Sequence, residues 1–136
     1  MSCLFCSIAQ HNIPSEIVYE DDATSAFLDI QPRSLGHTVV VSKTHAETII
    51  DLPAASLAPL FLTLQHVTGM LSRALHPAGF TIGINQGLVS GQTVPHLHVH
   101  IIPRFTGDGG GSIHSVVNQP PNEAIAMTAA RIRKYS

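Results

Sequence analysis

Residues 95–104 read PHLHVHIIPR, with histidine at 96, 98 and 100 and Leu97, Val99, Ile101 and Ile102 filling the other inner places. Side chains on a strand alternate between faces. The segment therefore reads as a β-strand with three imidazoles on one side and Leu97, Val99 and Ile101 on the other. The apolar side faces a core. The imidazole side carries several polar rings that need partners, so it is not an ordinary core face. A solvated face that happens to use histidine is the bland alternative. Two chemical readings compete with it. The rings can chelate a catalytic metal with one open position, or one neutral imidazole can act as a nucleophile while its neighbours bind an anion. The loop upstream, NQGLVSGQTVP (85–95), offers backbone N–H groups and hydroxyls suited to phosphate. Such a loop between strands is also the ordinary form of a long hairpin connection.

Working outward, EIVYE (16–20) and TSAFLDI (24–30) read as a hairpin turning at Asp21-Asp22. HTVVVS (37–42) and FTIGIN (80–85) read as two further strands. Leu57, Leu60, Phe61, Leu64, Val67, Leu71 and Leu75 follow helical spacing, which predicts one long amphipathic helix capped by Ser56, with Pro59 in its first turn. CLFCSIAQ (3–10) predicts a short helix before Ile13-Pro14, and a C-terminal helix is expected near 122–134. The expectation is one α+β domain over 1–136: a five-stranded antiparallel sheet, with the helices on one face. TGDGGGSIHS (106–115) reads as a flexible connection or a close backbone approach.

The 136 residues can bury a core; 44% are hydrophobic and 12% charged, which excludes disorder. A formal net charge of −2 leaves no basic footprint for nucleic acid. No apolar run suggests a membrane span or secretory leader, so the expected setting is cytoplasmic. Cys3 and Cys6 are too close in sequence to staple a fold. In a reducing compartment, CxxC points to a metal or redox pair.

HLHVHII resembles the His-x-His-x-His-x-x motif of the histidine triad (HIT) family of nucleotide hydrolases and transferases. GQTV before it, LDIQPRSLGHTVVVSK (28–43) and IVYEDDATSAFLD (17–29) resemble further family elements in the same order. The CxxC is similar to that of zinc-containing bacterial members near the adenosine phosphoramidase branch. The resemblance implies attack by His98 on the α-phosphorus of an AMP conjugate, giving a nucleotidyl-histidine that water cleaves. It implies that the carbonyl of His96 orients His98 and that His100 donates to phosphate. It also places His37 beside the cluster, Thr93 near the leaving group and Gln92 in the loop. Asp29 would bind the ribose hydroxyls and Asn85 would face the phosphates. Leu4, Phe5, Ile8, Phe27 and Ile30 would surround the purine, although plain core packing explains Leu4 and Ile8 equally well. Cys3, Cys6, His45 and His96 would hold a structural zinc ion, and the protein would be a homodimer. A dinucleoside polyphosphate substrate, or nucleotide binding without catalysis, are the alternatives.

Overall fold

The computed structural model describes residues 3–136. In chain order the helices and strands are α1 (Leu4–Ala9), β1 (Ile17–Glu20), β2 (Thr24–Leu28), β3 (Thr38–Ser42), α2 (Ala54–Leu75), β4 (Gly79–Gly83), β5 (His98–Arg104) and α3 (Ile125–Arg133). Short 3-10 turns occupy Leu88–Ser90 and Ile113–Ser115. All strand pairs are antiparallel, in the order β1-β2-β3-β5-β4. The five-stranded α+β expectation holds.

Asp21 closes the first hairpin. Its Oδ1 accepts the backbone N–H groups of Ala23 and Thr24 at 2.9 and 2.8 Å, the local bond that makes aspartate a turn residue. The opposite end of β2 is fixed by Asp29, whose N–H donates to the His37 carbonyl at 2.9 Å. That bond sets Asp29 and His37 side by side across the mouth of the β2–β3 connection. Gly36 has φ +85°, and a Cβ there would lie 2.4 Å from Leu75 Cδ1. Only glycine permits both the left-handed turn and this close approach of the α2 end.

The alternation along β5 does what the sequence requires. Leu97, Val99 and Ile101 join Ala26, Val40, Leu60, Leu64, Val67 and Leu71 in the main core beneath α2. The opposite face was expected to lack a core of its own, and here the structure differs. α1 covers it, packing Phe5 and Ile8 on Phe27, Val39 and Val41. The helices therefore lie on both faces rather than one, because Phe27, Val39 and Val41 need cover as much as their neighbours do.

Element limits differ at several places. α2 begins at Ala54 with Pro53 as its cap and no side-chain cap bond, so Ser56 is an interior residue. Pro59 falls beyond the first turn and removes the N–H that would reach the Ala55 carbonyl. Phe61, expected inside, is exposed along with Leu62. α2 is long and apolar enough to cross a membrane by length and composition, yet its inward residues Leu60, Leu64, Val67 and Leu71 pack on the sheet. α3 starts later than expected and buries none of its residues.

The glycine-rich stretch is a close approach. Asp108 takes Arg104 in a two-point ion pair, Nε to Oδ2 at 2.7 Å and Nη2 to Oδ1 at 3.0 Å. Its carboxylate also accepts the N–H groups of Phe105 and Gly110. A Cβ on Gly110 would press on the Arg104 guanidinium, so glycine lets the chain fold closely over Arg104 without moving it.

Candidate active site and metal cluster

The three histidines of the motif divide between two sites. Strand β5 begins only at His98, and His96 sits in the bend before it. His96 is 1% exposed and His98 7%. His98 and His100 lie opposite Val41 and Val39 of β3 and remain on one face. The ring of His96 turns toward α1 instead.

Backbone bonds fix the proton on each ring. His98 Nδ1 lies 2.7 Å from the His96 carbonyl. A carbonyl only accepts, so Nδ1 carries the hydrogen and Nε2 keeps a free lone pair. His37 Nδ1 accepts the backbone N–H of Arg33 at 3.1 Å, which places its hydrogen on Nε2. That Nε2 lies 2.9 Å from His100 Nδ1 and 3.6 Å from Asp29 Oδ2. His37 therefore donates to His100, and His100 presents Nε2–H as a donor. The result is one bare ring nitrogen next to one ring donor. A nucleophile and an anion stabiliser need that pairing.

Burial lowers the pKa of His37 and outweighs the opposing pull of Asp29. Burial, with His98 and His37 nearby, lowers His100 to about 4. Unfolding returns this ring to the ordinary histidine value of about 6.5. The unfolded chain then binds more protons between those values, so stability is complete above pH ~6.5 and declines as pH falls toward 4. Thermal melts from pH 7.5 to 4.5 should show the decline. His100→Gln, which accepts from His37 but does not titrate, should show a smaller one. Equal slopes for the two proteins would reject this account of His100.

Asp29, His37 and His100 bring three potential metal ligands together. The donor chemistry argues against an ion there. A metal on His37 Nε2 would force the hydrogen onto Nδ1, against the N–H of Arg33. The cluster Cys3, Cys6, His45 and His96 is different. His96 Nε2 lies 2.9 Å from the Ser42 carbonyl and must donate to it, leaving Nδ1 bare. Nδ1 lies 3.3 Å from Cys3 Sγ, 3.4 Å from Cys6 Sγ and 3.1 Å from His45 Nδ1. Tetrahedral bonds of the usual N and S lengths put ligand atoms about 3.3–3.8 Å apart, so the residues fit a four-coordinate ion. Burial next to Cys3 pushes the Cys6 thiol up to about 11, and a bound cation would favour the thiolates instead. One metal on His96, His98 and His100 together is ruled out by the divergence of His96.

Phe5, Ile8, Phe27, Val39 and Asp29, with Leu4 and Ile30 at the rim, line a cavity of about 150 Å³. Leu4 is 47% and Ile30 91% exposed. Ile13 and Pro14 also line it. In the sequence Ile13-Pro14 marks the end of a helix; the signal for its place at the cavity is an apolar residue just before proline and close behind α1. Asp29 Oδ1 accepts the N–H of Gln31, and Oδ2 lies 3.6 Å from His37 Nε2. A second cavity of about 380 Å³ lies between α1 and the β5 approach, lined by Cys3, Leu4, Ser7, Ile13, Thr93, Val94 and Pro95. Thr93 and Asn85 are exposed. A Cβ on Gly91 would come within 3.8 Å of the Asn85 amide. Gln92 turns inward. Its amide donates to the carbonyls of Glu47 and Val94 and accepts Gly87 N–H, so it acts on the loop itself. Gly83 pairs with His100, and a Cβ there would meet nothing within 4 Å, which leaves open space beside the donor.

Comparison with known proteins agrees with this geometry. Residues 10–107 match the HIT domain model. A HIT-like protein of Methanocaldococcus jannaschii is 44% identical over 107 residues, covering 79% of this chain and 82% of its own. The adenosine 5'-monophosphoramidase of Schizosaccharomyces pombe is 38% identical over 104 residues, covering 76% and 75%. The crystal structure of a HIT family member from Bacillus subtilis superposes with a TM-score of 0.88 at 33% identity, covering 100% of this chain and 98% of that one. A family model that spans most of the chain, relatives at 38–44% identity and a shared fold agree, and the chain belongs to the HIT domain family.

Proposed function

We propose that this protein hydrolyses AMP conjugates at the α-phosphorus, of the phosphoramidate or adenylate type, through a nucleotidyl-histidine. The observation that carries the reading is the 2.7 Å bond from His98 Nδ1–H to the His96 carbonyl, which leaves Nε2 free on a ring packed against Phe5, a wall of the apolar cavity. Nε2 forms a bond to phosphorus as the bond to the leaving group breaks. Water then cleaves the P–N bond, releasing AMP and the free imidazole. His100, supplied through His37, donates to a non-bridging oxygen. Asp29 takes the ribose hydroxyls, the apolar cavity takes the purine, Asn85 faces the phosphates and Thr93 lies on the leaving-group side. The S. pombe relative's phosphoramidase name supports this choice of substrate class. Acid quench during turnover of an adenosine phosphoramidate, followed by peptide mass analysis, should find AMP on His98. An adduct on another residue would transfer the role.

The Cys3, Cys6, His45 and His96 set suits zinc, by its two thiolates and two imidazoles. Four protein ligands leave no place for an activated water, so the ion's part is to tie α1 to the β5 approach. We also infer a homodimer. β4 is a free sheet edge, and Phe61 and Leu62 on α2, with Ile113, Val116 and Ile125 toward the C-terminus, are left uncovered by their own chain. Sedimentation at micromolar concentration should give about twice the 14.5 kDa chain mass; a monomer would reject the assembly.

A further inference from the structure

We infer that Phe5 is a positioning residue for the nucleophile, and so more than a wall of the base cavity. Its ring centroid lies 4.9 Å from that of His98, with the planes at 81°. This edge-to-face arrangement is the favoured one for aromatic pairs. The hydrogen bond to the His96 carbonyl fixes one nitrogen of His98 but leaves the imidazole able to tilt about that axis. Phe5 blocks the tilt. Its own ring is held by Phe27 at 5.4 Å and 62° and by His96 at 6.2 Å and 74°. It stands in a six-residue helix between Cys3 and Cys6. A helix that short has no stability of its own, so the position of Phe5 is set by the small core beneath α1, where Phe5 and Ile8 pack on Phe27, Val39 and Val41. The direction of the His98 lone pair is thereby set by a residue that touches no reacting atom. The inference rests on His98 as the attacking group.

The test separates placement of the ring from lining of the cavity. Phe5→Leu keeps an apolar wall and removes the aromatic contact. At saturating adenosine phosphoramidate, the single-turnover rate of nucleotidyl transfer should fall roughly three- to tenfold, the range of one aromatic pair. Phe5→Tyr, which keeps the ring, should restore most of it. A Phe5→Leu protein with an unchanged saturated rate and only weaker AMP binding would reduce Phe5 to a wall. Nuclear magnetic resonance of the unaltered protein gives a reading that does not depend on any variant folding. His98 should show contacts to the Phe5 ring protons, a slowly exchanging Nδ1 hydrogen and one ring rotamer. Two interconverting rotamers in the unaltered protein would overturn the inference. Normal adduct formation by His98→Ala would instead overturn the reading it rests on, and the ring measurement would be unaffected.

Discussion

Replacing His98 with alanine should lower turnover of an AMP conjugate by roughly 10⁴-fold or more, the scale seen when a covalent nucleophile is removed. AMP affinity should stay within about tenfold of the native value, or about 1.4 kcal/mol. The split follows from where the contacts lie. The base cavity is built from α1, β2 and β3, and His98 is not among its lining. The variant also strips the His96 carbonyl of its donor in a buried place, which costs about 1–3 kcal/mol of stability. Thermal melts must therefore accompany the kinetics. Turnover near the native rate in a folded variant would remove His98 from the nucleophile role. Imidazole added to His98→Gly should restore part of the activity, because the missing group is a free lone pair that needs no general base.

The second large effect is on the metal. Cys3→Ser with Cys6→Ser should lose bound zinc and lower the melting temperature, since an ion held only by the folded chain stabilises it. The chemical step should persist wherever the double variant stays folded. His98 takes its orientation from the His96 carbonyl and the Phe5 ring, and no atom of either contact is a ligand. Zinc stoichiometry and single-turnover rate, measured together on this variant and on His98→Ala, decide the matter. Zinc retained without both thiols would dissolve the four-ligand site. Chemistry that disappears with zinc from an intact fold would show that the ion acts on the reaction.

Much of this architecture is legible in the chain. The period-two alternation from Leu97 to Ile101 names the core face of β5, and the helical spacing from Leu60 to Leu71 names the surface that meets it. Phe61 misleads because an apolar residue at helical spacing looks the same whether it faces a sheet or solvent. The second core is missed because α1 is only six residues long and its burial comes from β2 and β3, distant in sequence. The histidines, Asp29 and both cysteines are visible as residue types. The bonds that assign their protons are not, since the partners are the Arg33 N–H and the Ser42 and His96 carbonyls. Backbone groups occur at every position and leave no mark in the choice of side chain. Gly110 looks like slack because its neighbour, the Arg104 guanidinium, is recognisable only once the chain has folded back.

His96 serves one site with its side chain and the other with its carbonyl. No substitution at 96, proline included, deletes a carbonyl oxygen. Mutational drift can therefore reach the metal without passing through the nucleophile. A lineage that loses any one of Cys3, Cys6, His45 or His96 gains little by keeping the other three, and the four should be discarded as a group. His98, as the proposed nucleophile, has no such freedom, because its bare Nε2 follows from the one bond that Nδ1 makes to the His96 carbonyl. Descendants with all four ligands replaced and His98 still bonded to the carbonyl before it are the expected survivors. Ones that keep a complete metal site but have lost the nucleophile would be binders rather than enzymes.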